Sequence, residues 1–316
     1  MRFNLTTYLL FIAAMLSGCT DAPDMPDTPG TDTSTPISFD VTAVPPESAE
    51  GSRANTITYP SDITSLRLFA PLWENTGSGY VFRFYEIADE TVSRNDDGTW
   101  STSRPYYWPD RTKALSFFAY APVDIEGWEM VSMPHSSPDR MRFFYTPPKD
   151  ARDQHDIVFA SDTRMLNYAG SPEKSVSLTF MHILANIQFR INGDATTVSS
   201  ITLNNLYSES GFSPNGNYWD RMNRDNTAEA AKTSYTVYIP EDGSMGDDQR
   251  LIIIPQQPTA YDATITVTMR DGTSMESSFA YRSLMSGALT IININLPATG
   301  DTSRQLTSQL TIASTR

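Results

Sequence analysis

The chain has 316 residues and a formal net charge of -14, from 23 basic and 37 acidic side chains, and it holds one cysteine. So acidic a chain is a poor partner for nucleic acid, where lysine and arginine must neutralise phosphates, and it is repelled by anionic membrane surfaces. A lone cysteine leaves no disulfide to staple the fold, so stability must come from sizeable apolar cores. The length suggests two of them.

Residues 1–18 read as a secretory signal: Arg2, then the apolar run Leu9–Met15, then small residues leading into Cys19. The run falls short of the roughly 20 apolar residues that a membrane-spanning helix needs. Leu16-Ser17-Gly18-Cys19 resembles the lipobox of bacterial lipoproteins. That resemblance implies cleavage before Cys19 and acylation of its thiol and new amino group. Several acyl chains on one residue, at about 0.8 kcal/mol per buried methylene, hold a protein firmly on a membrane. Residues 19–36 are rich in proline and aspartate and have little to bury, so they read as an extended tether. At about 3.1 Å per residue it reaches roughly 50 Å. Its acidic residues also resemble the export signal of surface-exposed lipoproteins in the Bacteroidetes, and a plain solvated linker fits them equally well.

From Ile37 onward short strands alternate with turns. Val176, Leu178 and Phe180 alternate with Ser175, Ser177 and Thr179, and Ile187, Phe189 and Ile191 with Gln188, Arg190 and Asn192. Ile265, Val267 and Met269 alternate with threonines, and Ile292, Ile294 and Leu296 with asparagines. A period of two sets one face on a core and the other in water. Asp97-Gly98, Asn192-Gly193, Asn215-Gly216, Asp242-Gly243 and Asp271-Gly272 mark turns, the last a tight hairpin. Leu115–Pro122 is apolar enough to be buried on both faces, whereas Arg221–Lys232 is the best helical candidate but, with little apolar periodicity, could instead be a long loop. The fold class is all-β, two tandem β-sandwich domains over 37–172 and 173–316, divided near Gly170-Ser171-Pro172.

Residues that could carry chemistry are few. His135, His155 and His182 stand in no metal-ligand spacing, and no G-x-S-x-G occurs. His155-Asp156 reads as a surface turn and His182 as a satisfied core or junction histidine. Asn95-Asp96-Asp97-Gly98 is a hairpin turn, because a calcium loop begun at Ser93 puts Arg104 where a bidentate glutamate belongs. Leu296-Pro297-Ala298-Thr299-Gly300 has the form of a sorting signal, but only polar sequence follows it. Trp73, Trp100, Trp108, Trp128 and Trp219 fit sandwich cores better than exposed sugar platforms. The expectation is no catalysis, no metal and no cofactor.

Five strings, in order, carry a resemblance. They are Tyr107-Trp108-Pro109; Leu115-Ser116-Phe117-Phe118-Ala119-Tyr120-Ala121-Pro122; Asp156-Ile157-Val158-Phe159-Ala160; Phe180-Met181-His182-Ile183-Leu184-Ala185-Asn186-Ile187; and Leu251-Ile252-Ile253-Ile254-Pro255-Gln256. Together they resemble the strands of the Bacteroidales fimbrillin (Mfa-like) family. The resemblance implies transthyretin-like sandwiches and a fimbrial subunit on the outer membrane and cell surface, with other fimbrial subunits and a host or bacterial surface ligand as partners. It also implies strand exchange, in which an arginine-specific protease removes the N-terminal segment and a neighbour's strand fills the groove. Arg53 stands where that cut is expected. The donor would be the segment 305–313, where Leu306, Leu310 and Ile312 share one parity and Ser308 interrupts it. The same segment reads equally as the last strand of the second domain. A monomeric glycan-binding surface lipoprotein is the alternative function. Cys19→Ala is expected to leave the protein unacylated and in the soluble fraction after ultracentrifugation of cell lysate; continued membrane fractionation would contradict the lipobox.

Overall fold

A computed structural model describes residues 35–43, 63–131, 137–167, 175–246, 249–260, 262–279 and 283–296. In chain order the strands are β1 (Ser38–Ala43), β2 (Ser65–Asn75), β3 (Tyr80–Arg94), β4 (Trp100–Thr102), β5 (Lys113–Ala121) and β6 (Trp128–Met130). Then follow β7 (Phe143–Tyr145), β8 (Val158–Leu166), β9 (Ser175–His182), β10 (Ala185–Asn192), β11 (Val198–Tyr207) and β12 (Ser210–Ser213). The last are β13 (Tyr218–Trp219), β14 (Lys232–Tyr238), β15 (Arg250–Ile253), β16 (Thr264–Met269), β17 (Ser274–Ser278) and β18 (Leu289–Asn295). Among the described residues the helical pieces are single 3-10 turns. The chain is all-β.

A first sheet runs β1-β9-β8-β5-β2-β3-β4. Its inner face joins Phe39, Leu66, Leu68, Val92, Leu115, Phe117, Val158, Val176, Leu178 and Phe180 in one core, with Trp100 of β4 packed on it. The sheet curls so that its end strands, β1 and β4, approach each other. β9 therefore belongs to this sheet, although its sequence lies beyond the division expected near residue 172. The change of core comes after His182. At the far edge, β3 slips register against β2 three times, between Leu68 and Ala70, Ala70 and Pro71, and Leu72 and Trp73. These bulges twist the edge out of a regular ladder.

Beyond His182, β15-β10-β18 faces β14-β11-β16-β17. Ile187, Phe189, Leu251, Ile253, Ile292 and Ile294 of one sheet meet Ile201, Leu203, Tyr235, Val237, Ile265 and Val267 of the other. The alternation read from the sequence sets Ile187, Phe189, Ile265, Val267, Ile292 and Ile294 inward. The Asp271-Gly272 hairpin joins β16 to β17, with Gly272 at φ +90° as the tight turn demands. Residues 221–231 form an irregular loop closed by a Met222–Glu229 bridge rather than a helix.

A small sheet, β13-β12-β7-β6, takes strands from both halves of the chain. It covers the outer face of the first sheet with an aromatic cluster: Phe69, Phe118, Tyr120 and Phe159 from below, and Trp128, Phe143, Tyr145 and Phe212 from above. Trp128 stacks on Phe143 with ring centroids 5.0 Å apart and planes 8° from parallel. Ile252 and Ile254 bring the second sandwich into the same cluster. Arg142 pins the loop after β13 to β7: it pairs with Asp220 at 2.7 Å and donates to the carbonyls of Met222 and Asn223. A side chain at residue 211 would collide with that guanidinium, a Cβ falling 1.8 Å from Nε, so glycine stands there. Because one sheet spans both halves, the fold should unfold as a unit. Phe143→Ala is expected to cost about 3–5 kcal/mol, read from urea unfolding by circular dichroism and tryptophan fluorescence, with the two probes coincident.

Candidate functional site

The candidate site is the slot that β1 occupies. Its residues alternate, with Ile37 and Phe39 buried and Val41 and Ala43 partly buried against the first core, while Ser38, Asp40 and Thr42 are exposed. Burying Ile37 and Phe39 contributes about 1.5–3 kcal/mol each. On one side β1 forms a parallel ladder with β9, from Ser38 opposite Ser175 to Ala43 opposite Phe180. The solvent face adds a 2.7 Å hydrogen bond from the Ser175 hydroxyl to Asp40 and a 3.2 Å contact between the Thr42 and Thr179 hydroxyls. On the other side the Ile37 amide donates to the Tyr106 carbonyl at 2.8 Å, and the Trp108 amide donates to the Thr35 carbonyl at 3.2 Å. The start of β1 thus lies between two hydrogen-bonding walls.

The floor is aromatic. Phe39 meets Phe117 edge-on with ring centroids 6.4 Å apart, and Phe117 meets Trp108 edge-on at 6.1 Å. The wall at Tyr106 is held by Glu90, which accepts from the Tyr106 hydroxyl at 3.0 Å and from the amide and hydroxyl of Ser103 at 3.0 and 2.6 Å. Burial pushes the Glu90 carboxyl up, but the Ser103 and Tyr106 hydrogen bonds and nearby Arg104 outweigh it and leave it below the usual glutamate value. Arg104 also lies over the Tyr106 ring at 4.7 Å.

Cys19, Arg53, Leu306, Leu310 and Ile312 lie outside the described residues. The motif residues lie within them, and the structure brings several together. Asp156 Oδ2 stands 2.5 Å from His182 Nδ1, both side chains buried, where the start of β8 meets the end of β9. Of the pair expected at a surface turn, only His155 is exposed; Asp156 is drawn inward because a partner 26 positions away satisfies it. No linear spacing announces that pairing. His182 does sit at the junction of the cores. Gln154 accepts from the Ile252 amide at 2.6 Å and donates to the Pro148 carbonyl at 2.7 Å. Gln256, the glutamine after Pro255, accepts from the Tyr207 amide at 2.9 Å. These polar groups fasten strands together; among the described residues no cluster of His, Cys, Asp and Glu is placed to hold a metal ion.

The sequence profile of the fimbrillin-like family matches residues 52–314. The chain belongs to that family. A candidate cell adhesion protein from Bacteroides ovatus shares the fold with a TM-score of 0.55 at 16% identity, over 88% of this chain and 96% of that one. A fimbrial protein from Bacteroides vulgatus gives 0.51 at 13% identity, over 83% and 96%. At such identities the likeness speaks for the fold. No curated protein matches the chain. In this fimbrillin-like chain the matched span begins at residue 52, so β1 lies ahead of it.

The five tryptophans are all buried or half-buried, Trp108 and Trp128 most deeply. Trp108 and Trp128 lie in cores, Trp100 and Trp219 pack against cores, and the half-buried Trp73 donates to the Ser116 hydroxyl at 2.9 Å. Phe39→Asp is expected to bury a charge without compensation and eject β1. Hydrogen-exchange mass spectrometry should then show protection of Val176 and Leu178 in β9 falling at least about tenfold, while β11 and β16 keep theirs.

Proposed function

We propose that this fimbrillin-like chain is a structural subunit or accessory component, at tip or anchor, of cell-surface fimbriae that serve adhesion. On this reading it is held at the outer membrane by lipid on Cys19 and matured by cleavage after Arg53. It is then joined to its neighbour by β-strand exchange, with Leu306, Leu310 and Ile312 of its C-terminal segment as the donor strand. Two sandwich domains of transthyretin type, built on the two larger cores, would carry the exchange.

One observation carries the reading. β1 ends the first sheet and precedes Arg53, so a cut there would leave it held by non-covalent contacts: its six-residue ladder with β9, the hydrogen bonds at Tyr106 and Trp108, and its inward side chains. Its departure would uncover Phe117, Val176, Leu178 and Phe180, a strip that water does not tolerate. The free edge of β9 would present unpaired amides and carbonyls beside that strip, the combination that β-augmentation uses. The alternative of a monomeric glycan-binding lipoprotein draws less support, because Trp108 and Trp128 are buried in cores.

In cells, the wild-type chain is expected in the sheared fimbrial fraction with Ala54 as its N-terminus. Arg53→Ala is expected to stay full-length in the membrane fraction and to be missing from sheared fimbriae. Wild-type chain recovered only intact, or Arg53→Ala chain incorporated normally, would overturn protease-triggered exchange.

A further inference from the structure

The chemistry of the β1 slot says which strand it is built to hold, given the strand-exchange reading on which this inference rests. Four inward positions alternate along the slot: Ile37, Phe39, Val41 and Ala43. The second is the only aromatic one. The Phe39 ring closes an edge-to-face run with Phe117 and Trp108 and is 6% exposed. A replacement strand must set comparable volume there, because a void beside a packed ring keeps most of its cost when the surroundings cannot collapse.

The chain's own C-terminal residues do not offer that volume. Residues 301–316 contain no aromatic side chain, and their apolar parity reads Leu306, Ser308, Leu310, Ile312. Run in the direction of β1 with Leu306 at the place of Ile37, this segment sets Ser308 against Phe117. Shifted so that Leu310 takes the place of Phe39, it sets Ser308 where Ile37 is buried. Reversed, with Leu310 again at that place, it sets Ser308 where Val41 packs. Each alignment leaves either a hydroxyl among apolar neighbours or a ring-sized position filled by a smaller side chain.

We infer that the slot's occupant is an extended strand from a different subunit, with an aromatic ring at the second of four alternating inward positions, and that this chain's own C-terminal segment serves another subunit's slot. The contacts across the ladder add that the residue after the ring should be short and able to accept a hydrogen bond, as Asp40 does from Ser175. Partner choice then rests on side-chain fit while the backbone ladder supplies affinity common to all strands.

The test uses the full mature chain with a sequence-specific protease site placed at Arg53-Ala54 and cut so that β1 stays seated without a covalent link. Three synthetic peptides compete for the slot: 35–44, the native segment 305–314, and 305–314 carrying Leu310→Phe. Release of the N-terminal fragment is followed by native mass spectrometry. The Leu310→Phe peptide is expected to displace β1 at about one-tenth the concentration that the native segment needs. Equal potency of those two peptides would overturn the requirement for an aromatic donor while leaving exchange intact. Failure of all three, including the copy of β1 itself, would instead overturn the exchangeable slot and this inference with it.

Discussion

A strand that is apolar on both faces must be covered on both, and β5 is such a strand. From Ala114 to Ala121 every side chain is buried, with Leu115, Phe117, Ala119 and Ala121 turned to one core and Phe118 and Tyr120 to another. One requirement is met by curling the first sheet until its ends meet around the inner residues. The other is met by laying the small aromatic sheet over the outside. Since two of that sheet's four strands come from beyond His182, covering β5 also fastens the two halves together. Arg142, reaching from β7 to Asp220 and the loop carbonyls, adds a polar clasp at the same seam.

Curling has a second effect. The strand that completes the inner core, β1, is drawn from the far N-terminal side and enters in parallel, with β9 as its full-length partner. A parallel end strand closes the core without being tied to its neighbour through a hairpin, so the covalent chain does little to keep it there. Its retention depends on the two buried anchors, Ile37 and Phe39, and on the wall that Glu90 holds in place through Tyr106. The completeness of the core and the parallel, hairpin-free entry of its last strand therefore have one structural origin.

How much of this could be read from the sequence follows the range of each interaction. Alternation is local, and the strands of the second sandwich stood out through Ile187 and Phe189, Ile265 and Val267, and Ile292 and Ile294. Turn chemistry is local too, and Asp271-Gly272 forms the hairpin it announced. Leu115–Pro122 was legible as doubly buried because continuous apolar character has no other outlet. The membership of β9 was not legible: Val176, Leu178 and Phe180 alternate in the same way whichever core they face, and only pairing with β1 and β8 decides it. Nor were Asp156 with His182, Gln154 with the Ile252 amide, or Arg142 with Asp220, since each joins residues distant in sequence by geometry that no spacing encodes. The slot lay between these cases. Ile37, Phe39, Val41 and Ala43 do alternate with polar residues, but nothing local marks them as the end strand of this core, and its walls are assembled from segments far apart.

The three register slips on β3 bear on something other than stability. A sheet with two straight open edges has a valence of two for lateral pairing, and copies can zip together sideways into ribbons and aggregates. Here one end of the first sheet is a three-residue strand beside a bulged one, a geometry that offers an incoming chain no long regular row of donors and acceptors. The sheet thereby offers lateral pairing no long regular edge at that end, which works against ribbons and aggregates.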